Sequence, residues 1–176
     1  MLLKEKNIII AGGTSGIGLA AVHFFIEQGA NVVSIGKTSD ENLPHANAKL
    51  QWLFGDLRKE ETIQQAIKIC LEHYKTIDGL LHIAGGSGRT FGDGPLHELT
   101  EEGWGKTWQL NATSTMLSNK AIINVMMHQH HAGSIVNISS VLASHPSPHY
   151  FTTHAYAASK AAILGLSSSV ECLSRE

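Results

Sequence analysis

The chain has 176 residues, of which 43% are hydrophobic and 16% charged, and its formal net charge is -2. That length suits one domain with a substantial core, and the near-neutral balance provides no basic face for nucleic acid or an anionic membrane. Cys70 and Cys172 lack a C-x-x-C spacing and build no disulfide framework, so both read as reduced structural thiols.

The pattern along the chain alternates short β-rich runs with longer helical ones. "NIIIAG" (Asn7 to Gly12) predicts a buried strand, followed by a glycine loop and a helix through "LAAVHFFIEQG", which Gly29 terminates. "NVVSIG" (Asn31 to Gly36) and "LQWLFGD" (Leu50 to Asp56) predict the second and third strands. In "KEETIQQAIKICLEHY", Ile63, Ala66, Ile67, Cys70 and Leu71 recur at helical spacing. "GLLHIAGG" predicts a fourth strand, and a helix is expected from near Thr100 to about Met127. "GSIVNISS" predicts the fifth strand, and a last helix carries "HAYAASKAA". Unbroken apolar strands alternating with helices imply parallel strands buried on both faces. Right-handed crossovers then give a doubly wound, Rossmann-like α/β fold with three layers, α/β/α, in one domain over residues 1–176. No stretch nears the eighteen or so apolar residues of a membrane span. The start "MLLKEKNIIIAGG" lacks the pattern of a signal peptide. The expected location is cytoplasmic.

"AGGTSGIG" sets Gly12, Gly16 and Gly18 between the first strand and first helix. Glycines there let the backbone approach a pyrophosphate whose charge sits at the helix N-terminus. A tight turn alone would also use glycine. A P-loop is excluded, because no Gly-Lys-Ser/Thr follows to reach phosphate and magnesium. This loop, "GDL" at Gly55 to Leu57, "NISS" and "YAASK", in that order across nearly the whole chain, resemble the short-chain dehydrogenase/reductase family. The resemblance implies that Gly12, Gly16 and Gly18 line the pyrophosphate of a nicotinamide cofactor, with Thr14, Ser15 and Ile17 among the cofactor-binding residues. Asp56 and Leu57 would lie beside the adenine. Two departures stand out: Ala11 replaces a usual threonine, and "HIAGG" puts His82 and Ile83 where the family has two asparagines. Ala84 and Gly85 keep the close backbone approach to the cofactor.

The second strand ends "SIGKTSD". A carboxylate at its end would hold a ribose 2′-hydroxyl. Gly36 stands in that place, and Lys37 follows as a cation for a 2′-phosphate, with Thr38 and Ser39 as further donors. NADP is therefore preferred, with NAD an alternative through Asp40; the competing reading of Lys37 is a solvated loop lysine.

Hydride transfer to a carbonyl puts negative charge on oxygen, so a proton donor is needed. Tyrosine's ordinary pKa of about 10 falls beside a cation. Tyr156 and Lys160, four apart, share one helix face, although a surface pair has the same spacing. The resemblance makes Tyr156 the proton donor and Lys160 its electrostatic partner, which also binds the nicotinamide ribose; both belong to the cofactor contacts as well. It selects Ser140, at the expected end of the fifth strand, to bind the substrate oxygen, with Ser139 as runner-up, and Asn111 to hold a water behind the lysine.

The "HQHH" run, His128 to His131, has no accompanying cysteine or carboxylate and suits a helix C-terminus, so no metal site is expected. Trp104 and Trp108 are expected to pack one helix face. Family members continue past this helix with two further strands and a substrate lid, so the chain reads as a fragment or as a short protein. The reading is an NADP(H)-dependent carbonyl reductase or alcohol dehydrogenase acting on a small molecule, expected as a homo-oligomer without nucleic-acid or membrane partners. Its alternative is a dinucleotide-binding module without turnover.

Overall fold

Five strands, β1 (Asn7–Ala11), β2 (Asn31–Gly36), β3 (Leu50–Phe54), β4 (Gly79–His82) and β5 (Ser134–Asn137), lie in the order β3-β2-β1-β4-β5 in a computed structural model of the chain. The structure describes every residue except Thr38, Asp40, Glu41, His130, Pro148 and 174–176, together with the side chains of 171–173. The expectations for Thr38, Asp40, His130 and Cys172 thus lie outside the described residues. The chain divides into two compact units, Met1–Ala84 with Leu117–Val136, and Gly85–Met116 with Asn137–Glu176.

The first unit holds the sheet, which is parallel, as the doubly wound reading requires. Ile9 pairs with Val33 of β2 and with Leu80 of β4, so β1 is hydrogen-bonded on both edges. Alternate side chains of a strand point to opposite faces, and β1 uses both. Ile9 and Ala11 pack with Val33 and Ile35 against Ile63, Ala66 and Ile67 of α2 (Glu60–Tyr74) and Ile122 of α4 (Ser114–His128). Ile8 and Ile10 pack with Val32 and Leu50 against Val22 of α1 (Gly16–Glu27) and the partly buried Phe25. The helical spacing in α2 therefore marks a buried stripe, including Cys70, whose thiol burial pushes up to about 12.

Two strands end sooner than the sequence suggests. β4 stops at His82, because the Ile83 and Ala84 amides both donate to the Ala11 carbonyl, at 2.8 and 2.9 Å, instead of extending the strand. β5 stops at Asn137 and occupies a sheet edge, with Val136 half exposed, so burial on both faces does not extend to it.

In the second unit, α3 (Glu101–Trp108) is capped by Thr100, whose Oγ1 accepts the Gly103 amide at 3.0 Å. The single helix expected from Thr100 to Met127 is interrupted. A π-helical turn, Gln109–Thr113, separates α3 from α4. Trp104 and Trp108 stack with centroids 5.5 Å apart along α3. α5 (His154–Leu173) packs against α3, the π turn and a 3₁₀ turn at Val141–Ala143. Among the described residues, no helix is long and apolar enough to cross a membrane.

Ile9 is fully buried in the central strand. Ile9→Ala should lower unfolding free energy by about 3 kcal/mol through lost burial and the cavity left behind, measured as a shift of the urea midpoint at unchanged slope.

Candidate functional site

The glycine loop belongs to the first unit and leaves β1 through Gly12, whose φ of +99° L-residues rarely adopt. A Cβ there would also lie 2.7 Å from the Ala84 amide nitrogen, so the loop and the segment after β4 touch backbone to backbone. Both Gly12 and Gly13 amides donate to the Ile35 carbonyl, fixing the loop to β2. Ser15 precedes α1 without a side-chain cap, no acidic residue stands in the first turn, and Ile17 is exposed. The first-turn amides of α1 thus suit an anion. Thr14 points elsewhere: its side chain fills the space that a Cβ on Gly36 would need.

Asp56 lies just beyond β3. Arg58 Nε donates to both of its carboxylate oxygens, at 2.9 and 3.0 Å, and Nη2 to Oδ2 at 2.5 Å. The Arg58 side-chain bonds, against some burial and with smaller help from the Lys37 charge, hold the Asp56 carboxyl down to about 2. Lys37 is exposed at the end of β2, and Leu57 is buried in the core cluster. Arg58 is a residue the sequence reading overlooked; its one signal is a guanidinium two places after a carboxylate.

In the second unit, Asn111 is fully buried within the π turn. Its Nδ2 donates to the carbonyls of Thr107 and Gly86, each at 2.9 Å, while Oδ1 accepts the Gly86 amide at 3.1 Å. Gly85 lies against this amide and against Lys160: a Cβ there would sit 2.5 Å from Asn111 Oδ1 and 3.2 Å from Lys160 Nζ. Lys160 is 3% exposed, its Nζ donates to the Ile138 carbonyl at 2.7 Å, and burial lowers its pKa. That ammonium is 5.8 Å from the centroid of the Tyr156 ring, so the pair shares one environment.

The two serines differ. Ser139 Oγ donates to the Lys160 carbonyl at 2.7 Å, which commits its proton to α5. Ser140 Oγ accepts the Leu142 amide at 3.2 Å, capping the 3₁₀ turn and leaving its own proton for another acceptor. Ser140 lies beyond β5, not at its last residue as expected. Within this unit Asn111 and Lys160 meet at Gly85, the Tyr156 ring lies beside the Lys160 ammonium, and Ser140 follows the Ile138 carbonyl that receives that ammonium. His82, in the first unit, is buried at the end of β4. Among the described residues, no group of three or more His, Cys, Asp or Glu is placed to hold a metal.

The family model for short chain dehydrogenases matches residues 6–175. The chain belongs to the short-chain dehydrogenase family. It is 33% identical to glucose 1-dehydrogenase 2 of Bacillus subtilis over 83% of this chain and 58% of that protein. It is also 31% identical to the 3-oxoacyl-[acyl-carrier-protein] reductase FabG of Chlamydia trachomatis, over 99% of this chain and 69% of that one. The ligand-free aldohexose dehydrogenase of Thermoplasma acidophilum superposes with a TM-score of 0.81 at 26% identity, covering 96% of this chain and 61% of that structure. The chain thus spans about three fifths of the length of the dehydrogenases it resembles. In this member of the family the π turn sits where α3 passes into α4 and brings the Asn111 amide to Gly86.

The Asp56 carboxyl is depressed in the folded chain, so its stabilisation is present above the unfolded value of 3.8 and is lost as pH falls through about 2. The difference in unfolding free energy between wild type and Asp56→Asn should therefore be full above about pH 5 and close towards pH 2. Urea titrations across that range at fixed ionic strength would measure it.

Proposed function

We propose that the chain is an NADP(H)-dependent oxidoreductase that interconverts a small-molecule carbonyl and its alcohol, with Tyr156 as acid/base. The observation that carries this reading is Lys160: a nearly fully buried ammonium beside a tyrosine ring and against Gly85. A buried lysine needs a reason, and a phenol that must give up a proton supplies one.

The bound nicotinamide would supply a hydride to the carbonyl carbon, or accept one from the alcohol in reverse. In reduction, Tyr156 gives its phenolic proton to the carbonyl oxygen as negative charge develops there. Lys160 stabilises the resulting tyrosinate electrostatically. Ser140, with its proton uncommitted, donates to the same oxygen. Asn111 keeps the turn beside Lys160 in place through its two bonds to Gly86, and supports return of the proton. The loop from Gly12 to Gly18, with Thr14, Ser15, Gly16 and Ile17, would hold the pyrophosphate; Ala84 and Gly85 admit the nicotinamide side, and Asp56 and Leu57 the adenine. The close backbone approach at Gly12 and the uncapped α1 N-terminus fit such a group.

Two observations favour NADP over NAD. Thr14 occupies the space where a side chain on Gly36 would grow, so no carboxylate stands there to repel a 2′-phosphate. Lys37 is the exposed cation that follows.

Tyr156→Phe should reduce kcat for NADPH-dependent carbonyl reduction by at least about a hundredfold with NADPH Kd within about twofold; retained turnover would exclude the mechanism. NADPH binding without oxidation across a broad carbonyl panel would leave a dinucleotide-binding module. Lys37→Ala should weaken NADPH about tenfold and NADH little, read by fluorescence titration; equal losses would overturn the preference.

A further inference from the structure

The first turn of α5 carries Tyr156, and a helix cannot bond its own first amides. The Ala157 amide reaches the Thr153 carbonyl at 3.1 Å, which leaves the amides just before it to find acceptors elsewhere. Asp93, about sixty residues earlier in the chain and in the same unit, provides one for each of two. Its Oδ1 accepts the Ala155 amide at 3.0 Å and its Oδ2 the Tyr156 amide at 2.9 Å. Asp93 is 5% exposed, so the fork is shielded from water. The adjacent Gly94 carbonyl lies 2.9 Å from His154 Nδ1, which donates in the tautomer protonated there. Three consecutive residues of α5 are thus held by two consecutive residues of one loop.

That loop is itself fixed. The Asp93 amide donates to the Gly88 carbonyl at 3.2 Å, the Phe91 amide to the same carbonyl at 2.8 Å, and the Gly92 amide to the Arg89 carbonyl at 3.1 Å. On its other side it abuts α3, where a Cβ on Gly103 would stand 2.8 Å from the Phe91 carbonyl oxygen. α3 leads directly into the turn containing Asn111. One scaffold, residues 88–111, therefore holds both Asn111 and the backbone of Tyr156. Lys160 has separate anchors, Ser139 on its carbonyl and the Ile138 carbonyl on its ammonium.

We infer that Asp93 is a positioning residue: by accepting the Ala155 and Tyr156 amides, its carboxylate fixes the first turn of α5 and so sets the Tyr156 phenol against the Lys160 ammonium. Charge-assisted bonds at a helix N-terminus are strong because acceptor charge and helix dipole act together. Small displacements of a reacting group cost large factors in rate. Asp93 thereby acts through Tyr156 without touching substrate. The inference rests on the reading of Tyr156 as proton donor.

Amide hydrogen exchange on the unliganded chain tests the clamp without any need for turnover. Asp93→Ala should speed exchange at Ala155 and Tyr156 by about ten- to a hundredfold, the range expected for losing a bond to a charged acceptor, while Ala162 and Ile163 stay within about twofold. Asp93→Asn, which keeps the shape and one acceptor oxygen, should fall between and covers the case in which the alanine variant does not fold. In turnover, both variants should lose kcat in the same order, about ten- to a hundredfold for Asp93→Ala, with KM for NADPH within about twofold. Unchanged exchange at the two amides overturns the clamp. Exchange that rises equally along all of α5, or a kcat within twofold of wild type despite local release, overturns the positioning role. A wild-type chain that binds NADPH and turns over nothing overturns the oxidoreductase reading and the catalytic half of this inference, while the exchange result still decides the clamp.

Discussion

A lysine ammonium with 3% exposure is the constraint around which the second unit is organised. Burial disfavours its charged form, which is why its pKa is lowered, and the surroundings must offset that with oriented acceptors. The Ile138 carbonyl supplies one directly, and Ser139 fixes the lysine's own backbone. Residue 85 must lack a side chain, because the ammonium and the Asn111 amide already occupy its place. Asn111 lies in the π turn between α3 and α4 and accepts the Gly86 amide from there. The buried cation is thus tied to the absence of a side chain at residue 85, and Ser139 gives its proton to the lysine's carbonyl while the Ser140 hydroxyl accepts the Leu142 amide.

The first unit answers to another constraint, close approach of backbones. β1 is paired on both edges and packed on both faces, so the loop that leaves it must turn at once. Gly12 does so against Ala84, and Thr14 folds back over Gly36. The absence of a side chain at the end of β2 is then a packing consequence. Beyond β3, Arg58 forks onto Asp56, so that carboxylate is presented as half of an ion pair.

Much of this is legible in the amino-acid sequence. The apolar runs of β1 and β2 and the stripe through Ile63, Ala66, Ile67 and Cys70 announce their burial, because periodicity reports directly which faces meet a core. The glycine spacing, "NISS" and Tyr156 with Lys160 were legible as motifs because each depends on chemistry confined to a few adjacent residues. The break in the long helix was not legible: within the π turn Asn111 donates to the Thr107 and Gly86 carbonyls, and one of those partners is distant in sequence. The early end of β4 escaped for a similar reason: the Ala11 carbonyl captures the residues after His82.

The sequence by itself determined the alternation of strands and helices, the glycine loop, and which tyrosine, lysine, serines and asparagine are available, since these follow from local spacing and side-chain chemistry. Tertiary structure alone decided which serine keeps its proton, that Gly36 is a place Thr14 needs, that Arg58 holds Asp56, and that Asp93 reaches the amide of Tyr156. Each of these is a hydrogen bond or a steric exclusion whose partner is chosen by the fold, and spacing along the chain does not specify which groups folding brings together.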